Sequence, residues 1–224
     1  MTPSVTRQLL HLAEPGEAVR VAAFLERLLR WEKNAAVRIQ AAGGVAAVFA
    51  RPARFEVLAV RTARLAEADA GTELDVTVAA GELLELLDEK AASLRVPAAV
   101  TGPPWAGVMP PRRGWERLGE LPPDAVRTVA AAAVGEFRER AEELPEAERT
   151  RQRLDALAEE IWSRPLGRTG LPLRAVHAAH ALGFLGGPEP LGLLAAGPWL
   201  RLSTPHGSVA VRPSRPVGLS VTPA

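Results

Sequence analysis

The sequence predicts an α+β protein in which an N-terminal helix, a mostly antiparallel sheet and a second helix precede a helical C-terminal domain that ends in a β-hairpin. Three observations support this fold class. Apolar residues recur at helical spacing over 15–33, and they alternate with polar residues over much of 36–78. Helical spacing returns between 124 and 184, and a short apolar segment follows it.

The first predicted domain covers residues 1–97. Val21, Phe24 and Leu28 belong to one apolar stripe that a helix would bury. Gly43 and Gly44 separate two segments of β-type sequence, as in a hairpin. The predicted elements, in chain order, are a helix over 15–33, strands over 36–40, 45–50, 55–62 and 73–78, and a helix over 80–89.

Residues 98–123 are predicted to form an ordered connector without regular secondary structure. Proline pairs recur in this part of the chain, and each proline removes an amide donor and fixes φ. The same segment holds Trp105 and Trp115, which is not typical of a flexible linker. We therefore expect the connector to lie across a surface of the protein.

The second predicted domain covers residues 124–224. Its helices are predicted over 124–144, 146–164 and 172–184, and strands over 191–202 and 208–212 flank a tight turn at 204–207. In that turn glycine would supply a positive φ. The order of helix, turn, helix and two-stranded wing resembles that of winged-helix proteins.

Composition excludes several kinds of chemistry. The 224-residue chain has no Cys, which rules out disulfides, thiolate nucleophiles and thiolate metal sites made by this chain. It has no apolar run long enough for a transmembrane helix, and residues 1–16 lack the apolar core of a secretory signal. Glycine-rich phosphate-binding motifs are also missing. We therefore expect a cytoplasmic protein that has no cofactor and does not enter a membrane.

The charge is nearly balanced, at a net +1. Two of the 27 basic residues are Lys and the rest are Arg, and most Arg are interspersed with acidic residues on predicted helices. That arrangement is typical of solvated helix surfaces rather than of a nucleic-acid site. Residues 171–224 differ, because they contain four Arg and one Glu and are otherwise mostly apolar. Such a segment either packs against the helices or presents a binding surface.

Two small groups of polar residues could carry chemistry, but neither completes a motif. His177 and His180 share a helix face and are weak candidates for metal ligands, since no third ligand follows at a standard spacing. His206 and Ser208 lie near one turn without the glycine-flanked elbow of a serine nucleophile. Helix packing explains the first pair and turn formation the second, so we predict no catalytic residue and no metal site.

The residues leave three hypotheses for function. The first is a non-enzymatic protein-interaction module that binds a protein partner or a second copy of itself, because Trp and Arg are enriched at interface anchors. Its candidate residues are Trp105, Arg112, Arg113, Trp115 and Trp199.

The alternative is a winged-helix nucleic-acid-binding protein, although its predicted recognition helix carries one Arg and no Asn, Gln or Lys. Its candidate residues are Arg174, His177, His180, Arg201, His206 and Arg212. The third hypothesis is an enzyme of a type that the sequence does not reveal.

Two segments resemble a known group of proteins. The run from Pro110 to Pro122, with Arg112, Arg113 and Trp115, is similar to a segment of uncharacterised two-domain proteins from high-GC actinobacteria. Residues 197–200 and 205–208 are similar to the C-terminal hairpin of the same proteins. The resemblance implies a cytoplasmic protein of unknown function, and it transfers no catalytic residue.

Overall fold

A computed structural model describes residues 8–212 and confirms the predicted α+β fold class. Residues 1–7 and 213–224 lie outside the described part of the chain, and they include Arg215, one of the four arginines counted in residues 171–224. Within it, the chain divides into two compact units. The first unit comprises 8–54 and 58–109, and the second comprises 55–57 and 110–212.

The first unit is built on helix α1 and four antiparallel strands. Helix α1 (Pro15–Trp31) begins with Pro15 at its first turn, where a missing N–H costs nothing, and it buries Phe24, Leu25 and Leu28. The strands are β2 (Ala36–Ala42), β3 (Val45–Ala50), β4 (Leu58–Arg64) and β5 (Leu74–Ala79). They pair in the order β5-β2-β3-β4, and these elements follow the predicted sequence of helix and strands.

A second, smaller sheet in this unit was not predicted. The predicted helix over 80–89 ends early, as α2 (Ala80–Glu85), and the next residues form strand β6 (Leu87–Asp88). Strand β7 (Ser93–Arg95) pairs with β6 and also with the N-terminal strand β1 (Leu9–His11). These strands have two or three residues each, too few for an alternating pattern to show in the sequence.

The segment after β7 lies along β5. The Val100 N–H donates to the Thr77 carbonyl at 2.9 Å, and the Arg38 guanidinium donates to the carbonyl of Ala106. A short 3₁₀ helix, Pro104–Gly107, contains the buried Ala106. This half of the predicted connector is therefore ordered by hydrogen bonds rather than by a regular strand or α-helix.

The second unit combines three α-helices with four antiparallel strands. The helices are α3 (Pro123–Glu143), α4 (Arg151–Trp162) and α5 (Leu173–Ala181). The strands β8 (Glu116–Leu121), β9 (Leu191–Ala196), β10 (Trp199–Thr204) and β11 (Gly207–Val211) pair in that order, and β10 with β11 forms the predicted C-terminal hairpin. Helix α5 contacts β10 and β11 and so covers one face of this hairpin, and α3 and α4 pack against α5.

Three sequence predictions in this unit were wrong in detail. Residues 116–121 form β8 although no regular structure was expected there, because a polar, exposed edge strand shows no apolar alternation. The single strand predicted over 191–202 is two strands, since Gly197 takes a φ of +54° and turns the chain. Helix α4 begins at Arg151 rather than at 146, because the Thr150 hydroxyl accepts the Arg153 N–H at 3.3 Å and caps the helix.

The turn between β10 and β11 contains the positive φ that its sequence predicts. Gly207 has a φ of +148°, and a Cβ there would lie 2.6 Å from the ring of Phe184. The Thr204 hydroxyl accepts the His206 N–H and donates to the Gly207 carbonyl, both at 3.0 Å. Glycine at this position thus lets the residues that follow α5 pack directly against the hairpin.

Candidate functional site

The five residues predicted for a protein interface are divided between the two units. Trp105 lies half-buried in the 3₁₀ helix of the first unit. Arg112 and Arg113 are exposed in the second unit, where Trp115 and Trp199 are half-buried. Trp115 and Trp199, together with their neighbours on the strands, form the candidate site.

Alternation along β10 places its residues on two faces. Leu200 and Leu202 are buried, whereas the alternate residues Trp199, Arg201 and Ser203 are half-buried. Successive side chains of a strand point to opposite faces, so these three lie on the face opposite α5. The register adds the neighbouring positions of the other strands, and we call this surface the outer face. It comprises Trp199, Arg201 and Ser203 with Arg117 and Leu194 of the neighbouring strands, and Trp115 and Arg212 lie against it, whereas Ala210, opposite Arg201 on β11, is fully buried.

Arg201 and Trp115 form the centre of the outer face. The Cζ atom of Arg201 lies 3.9 Å from the centre of the Trp115 ring, within the range of a cation–π contact. The ring is held in place because its Nε1–H donates to the Pro111 carbonyl at 2.8 Å. The proline-rich turn that was predicted to lie across a surface therefore positions an aromatic ring over an arginine of β10.

The guanidinium of Arg201 has no anionic partner within residues 8–212. Its Nε atom is fully buried and makes no hydrogen bond there. Directly opposite Arg201 in the sheet are Leu194 on β9 and Ala210 on β11, which offer only apolar side chains. Burial disfavours the charged form and lowers the pKa of Arg201 to about 10, so the group is still a cation at neutral pH.

A pocket of about 280 Å³ lies beside this pair. It is lined by Arg117, Pro190, Gly192, Leu194, Ser203, Thr204 and Pro205. Arg201 does not line the pocket itself, but two of the lining residues are its neighbours: Leu194 is opposite it on β9, and Ser203 is two residues along β10. Arg117 adds a second cation, which pairs with the carboxylate of Glu120 at 2.6 Å.

A second arginine lies near a second tryptophan. The Cζ atom of Arg212 is 5.8 Å from the centre of the Trp199 ring, at the outer limit of a cation–π contact. Arg212 is exposed, and it follows β11 directly. The outer face therefore carries two Trp–Arg pairs, of which the one at Arg201 is tighter.

Of the residues predicted for nucleic-acid binding, the structure gathers only Arg201 and Arg212 on one surface. Arg174 lies on α5 and is paired, because its guanidinium donates to both Glu159 oxygens at 2.7 Å and also to Glu56. Arg201 lies on the outer face, on the other side of the strands from α5. His206 lies in the β10–β11 turn, where its ring adjoins Gly187.

His177 has an apolar, aromatic environment on α5. Its ring stacks on Trp162 with the centres 4.1 Å apart, and it meets Phe55 edge-on at 5.0 Å. Burial, with a smaller contribution from His180, lowers the pKa of His177 to about 4. His180 is exposed, and no cluster of three potential metal-ligating side chains occurs anywhere from residue 8 to residue 212. His177 therefore packs as a neutral ring.

Arginines on the other helices of this unit are also paired with acids. Arg140 and Arg164 each bind the carboxylates of both Glu136 and Glu160 at the surface where α3 meets α4. Hydrogen bonds from Arg140 and then from Arg164 lower the pKa of Glu160 to about 2. These arginines form an exposed ion-pair network, as the interspersed charges of the sequence predicted, and leave little positive charge for phosphate.

Sequence reasoning named Arg201, Trp115 and Trp199 but assigned them to different hypotheses. The contact between Arg201 and Trp115 joins a strand to a loop far away in the sequence, so no local pattern could show it. The pocket residues Leu194 and Ser203 were not predicted either. The available signal was the alternation in 199–203, which places Trp199, Arg201 and Ser203 on one face of a strand.

Comparisons with known proteins agree with this two-part organisation. Residues 5–107 match the model of a family described as Domain of unknown function (DUF8010). Residues 110–216 match the model of another, described as Domain of unknown function (DUF8185). No curated protein and no solved structure matches the chain. The chain therefore carries two adjacent domains of unknown function, an arrangement that fits an uncharacterised two-domain family.

Proposed function

We propose that this protein is a non-enzymatic interaction module, and that its C-terminal unit binds another protein on the outer face of β8–β11. The observation that carries the proposal is the Arg201–Trp115 pair, a half-buried cation stacked on an aromatic ring without an anion among the described residues. Trp and Arg are the residue types that most often anchor protein interfaces. A bound partner would supply an anion to Arg201 and would bury the exposed part of the Trp115 ring.

The surroundings of the pair support a protein partner. Leu194, Pro190 and Pro205 give the pocket an apolar part beside the polar groups of Arg117, Ser203 and Thr204, and Trp199 with Arg212 extends this mixed surface along the sheet. Interfaces typically place aromatic and Arg anchors over a small apolar core and surround them with polar groups. The outer face has this composition on strands that a hydrogen-bonded sheet holds rigid.

The charge distribution favours this proposal over nucleic-acid binding. A nucleic-acid site needs several unpaired cations on one surface, because most of its affinity comes from phosphate contacts. Arg174 is paired with two carboxylates, His177 is neutral, and α5 exposes only His180. We further propose a cytoplasmic location, which the cysteine-free sequence supports because disulfides are rare in a reducing compartment.

Site-specific crosslinking followed by a binding measurement tests the proposal. A photoreactive phenylalanine analogue replaces Trp199 in the full chain, and a control protein carries it at the exposed helix residue Arg138. We expect a protein adduct at position 199 and none at position 138 in lysate of the cells that make the protein. The captured protein is then purified and titrated with each variant. Trp199→Ala should weaken binding about tenfold or more, and Arg138→Ala should leave it nearly unchanged.

The same experiment can contradict the proposal in three ways. Equal adducts at both positions, adducts with nucleic acid alone, or an affinity that Trp199→Ala leaves unchanged would each argue against a protein site on the outer face. Circular dichroism checks that the variants fold. If Trp199→Ala unfolds, Arg212→Gln replaces it in the titration, because Arg212 is exposed and its loss leaves the packing intact.

A further inference from the structure

The chemistry of the partner can be read from Arg201, on the assumption that the proposed function is correct. We propose that Arg201 binds a side-chain carboxylate of the partner, and that the pocket beside it receives an apolar side chain of the same partner segment. The ligand is then an extended acidic peptide segment in which Glu or Asp lies close to Leu or another aliphatic residue. Three features of the outer face support this assignment.

The first feature is the missing counter-ion. Arginine is rarely buried without a carboxylate, because taking its charge out of water is costly unless an anion or several acceptors replace the solvent. The Arg201 side chain has a buried Nε that makes no hydrogen bond, and it forms no ion pair with the carboxylates of residues 8–212. Its cross-strand neighbours Leu194 and Ala210 have no polar side-chain atom. An external carboxylate would supply acceptors for the terminal Nη atoms of the guanidinium, because the buried Nε lies out of its reach.

The second feature is the orientation that the stack imposes. The Trp115 ring lies 3.9 Å from Cζ, so one side of the guanidinium group is covered by the indole. A planar guanidinium uses its edge for hydrogen bonds, and two parallel N–H groups on that edge match the two oxygens of a carboxylate. Since Trp115 is itself fixed by the Pro111 carbonyl, the edge is held ready for an anion.

The third feature is the spacing between Arg201 and the pocket. Ser203 lines the pocket and is two residues from Arg201 on the same strand, which corresponds to about 7 Å. Side chains two residues apart in an extended peptide have the same separation and point the same way. A segment with a carboxylate and an aliphatic side chain at alternate positions can therefore reach both sites at once.

A pair of synthetic peptides tests the inference on the full chain. The probe is acetyl-Thr-Leu-Thr-Glu-Thr-Leu-Thr-amide, which places Leu on both sides of Glu and so fits either strand direction. The control peptide has Gln in place of Glu. Binding is followed by tryptophan fluorescence and by the ¹⁵N-edited signal of the Arg201 Nε–H, which should exchange slowly because that atom is buried. We expect the Glu peptide to bind at least about tenfold more tightly than the Gln peptide, and to shift the Nε–H signal.

Variants of the protein distinguish recognition of the Glu carboxylate from nonspecific binding of the peptide. Arg201→Gln should lose about tenfold or more in affinity for the Glu peptide and little for the Gln peptide. Arg201→Lys should recover only part of the loss, because an ammonium group cannot donate two parallel hydrogen bonds. Arg138→Gln removes the same charge from an exposed helix position and should bind the Glu peptide as the unmodified protein does.

Several outcomes would overturn the inference. These are equal binding of the two peptides, no detectable binding of either at about 1 mM, or full affinity in Arg201→Gln. Tighter binding of single-stranded oligothymidine than of the Glu peptide would assign the arginine to phosphate instead. If the crosslinked partner binds the outer face and its affinity is the same for both Arg201 variants as for the unmodified protein, the carboxylate assignment fails. The proposed interaction module is then still supported. If no protein binds that face, the proposed function itself fails.

Discussion

Acidification should destabilise the C-terminal unit through one residue, His177. Its ring lies between Trp162 and Phe55, and burial holds its pKa at about 4, against 6.5 for an exposed histidine. Below pH 6.5 the unfolded chain therefore binds a proton that the folded unit accepts only near pH 4. The neutral, half-buried His177 therefore does not reduce the free energy of unfolding above pH 6.5. As the pH falls from 6.5 to 4, preferential protonation of the unfolded chain lowers that free energy.

The size of this effect follows from the two pKa values. Between about pH 7.5 and about pH 5, the difference in proton binding lowers the free energy of unfolding by about 2 kcal/mol. His177 is half-buried, and solvent screening reduces the expected effect to about 1–2 kcal/mol. A change of this size is a measurable part of the stability of a domain.

Urea unfolding of the wild type and of His177→Phe at these two pH values provides the test. Phenylalanine keeps a ring between the two aromatic neighbours and cannot bind a proton, so the variant should lose about 1–2 kcal/mol less than the wild type on acidification. His180→Gln is the matched control, since it removes an exposed histidine from the same helix and should keep most of the loss. Equal losses in the wild type and in His177→Phe would refute the assignment.

Four further substitutions test the local structure of the two units. Gly207→Ala should destabilise the C-terminal unit by about 3 kcal/mol, because a Cβ would lie 2.6 Å from Phe184 at a φ of +148°; calorimetry should show a lower Tm. Gly135→Ala, in α3 with open space around it, should raise the Tm through about 0.5–1 kcal/mol of helix propensity, and a lower Tm would contradict the structure there. Glu17→Ala should cost about 1–2 kcal/mol in urea unfolding of the N-terminal unit, because this buried carboxylate accepts from arginines at 3.2 and 3.3 Å; no change would show that the pairing is unimportant. Thr150→Ala should cost about 1 kcal/mol and increase amide exchange in the first turn of α4, whereas unchanged exchange would argue against the cap.

The accuracy of the sequence predictions depended on how local each signal was. Strand β3 has the bounds that its sequence predicts, and α1 differs from its prediction by two residues at one end, because both have a repeating apolar pattern and a clear turn residue beside them. Strand β8 was missed, since an exposed strand at the edge needs no apolar alternation and gains its hydrogen bonds from β9. Strand β1 was missed for a related reason, because its partner β7 lies at the far end of the first unit's sequence.

The candidate site shows the same division. Sequence reasoning proposed Trp115 and Trp199 as candidate interface residues and noted Arg201 as a cation in a segment with few acids. It could not place Arg201 against Trp115, nor show that Arg174 is neutralised by carboxylates from two other parts of the chain. Which arginines are paired depends on tertiary contacts, and that distinction is the basis on which we propose a protein surface rather than a nucleic-acid surface.

By itself the sequence determined the α+β class, the order of its main helices and strands, and the chemistry that a chain without cysteine cannot perform. Periodicity, capping residues and composition act over a few neighbouring residues, so they can be read directly. Only the tertiary structure decided which face of β10 carries Arg201, where the edge strand lies and that the half-buried Arg201 has no anionic partner among residues 8–212. The physical reason is that strand pairing and ion pairing join residues that the chain brings together only when it folds.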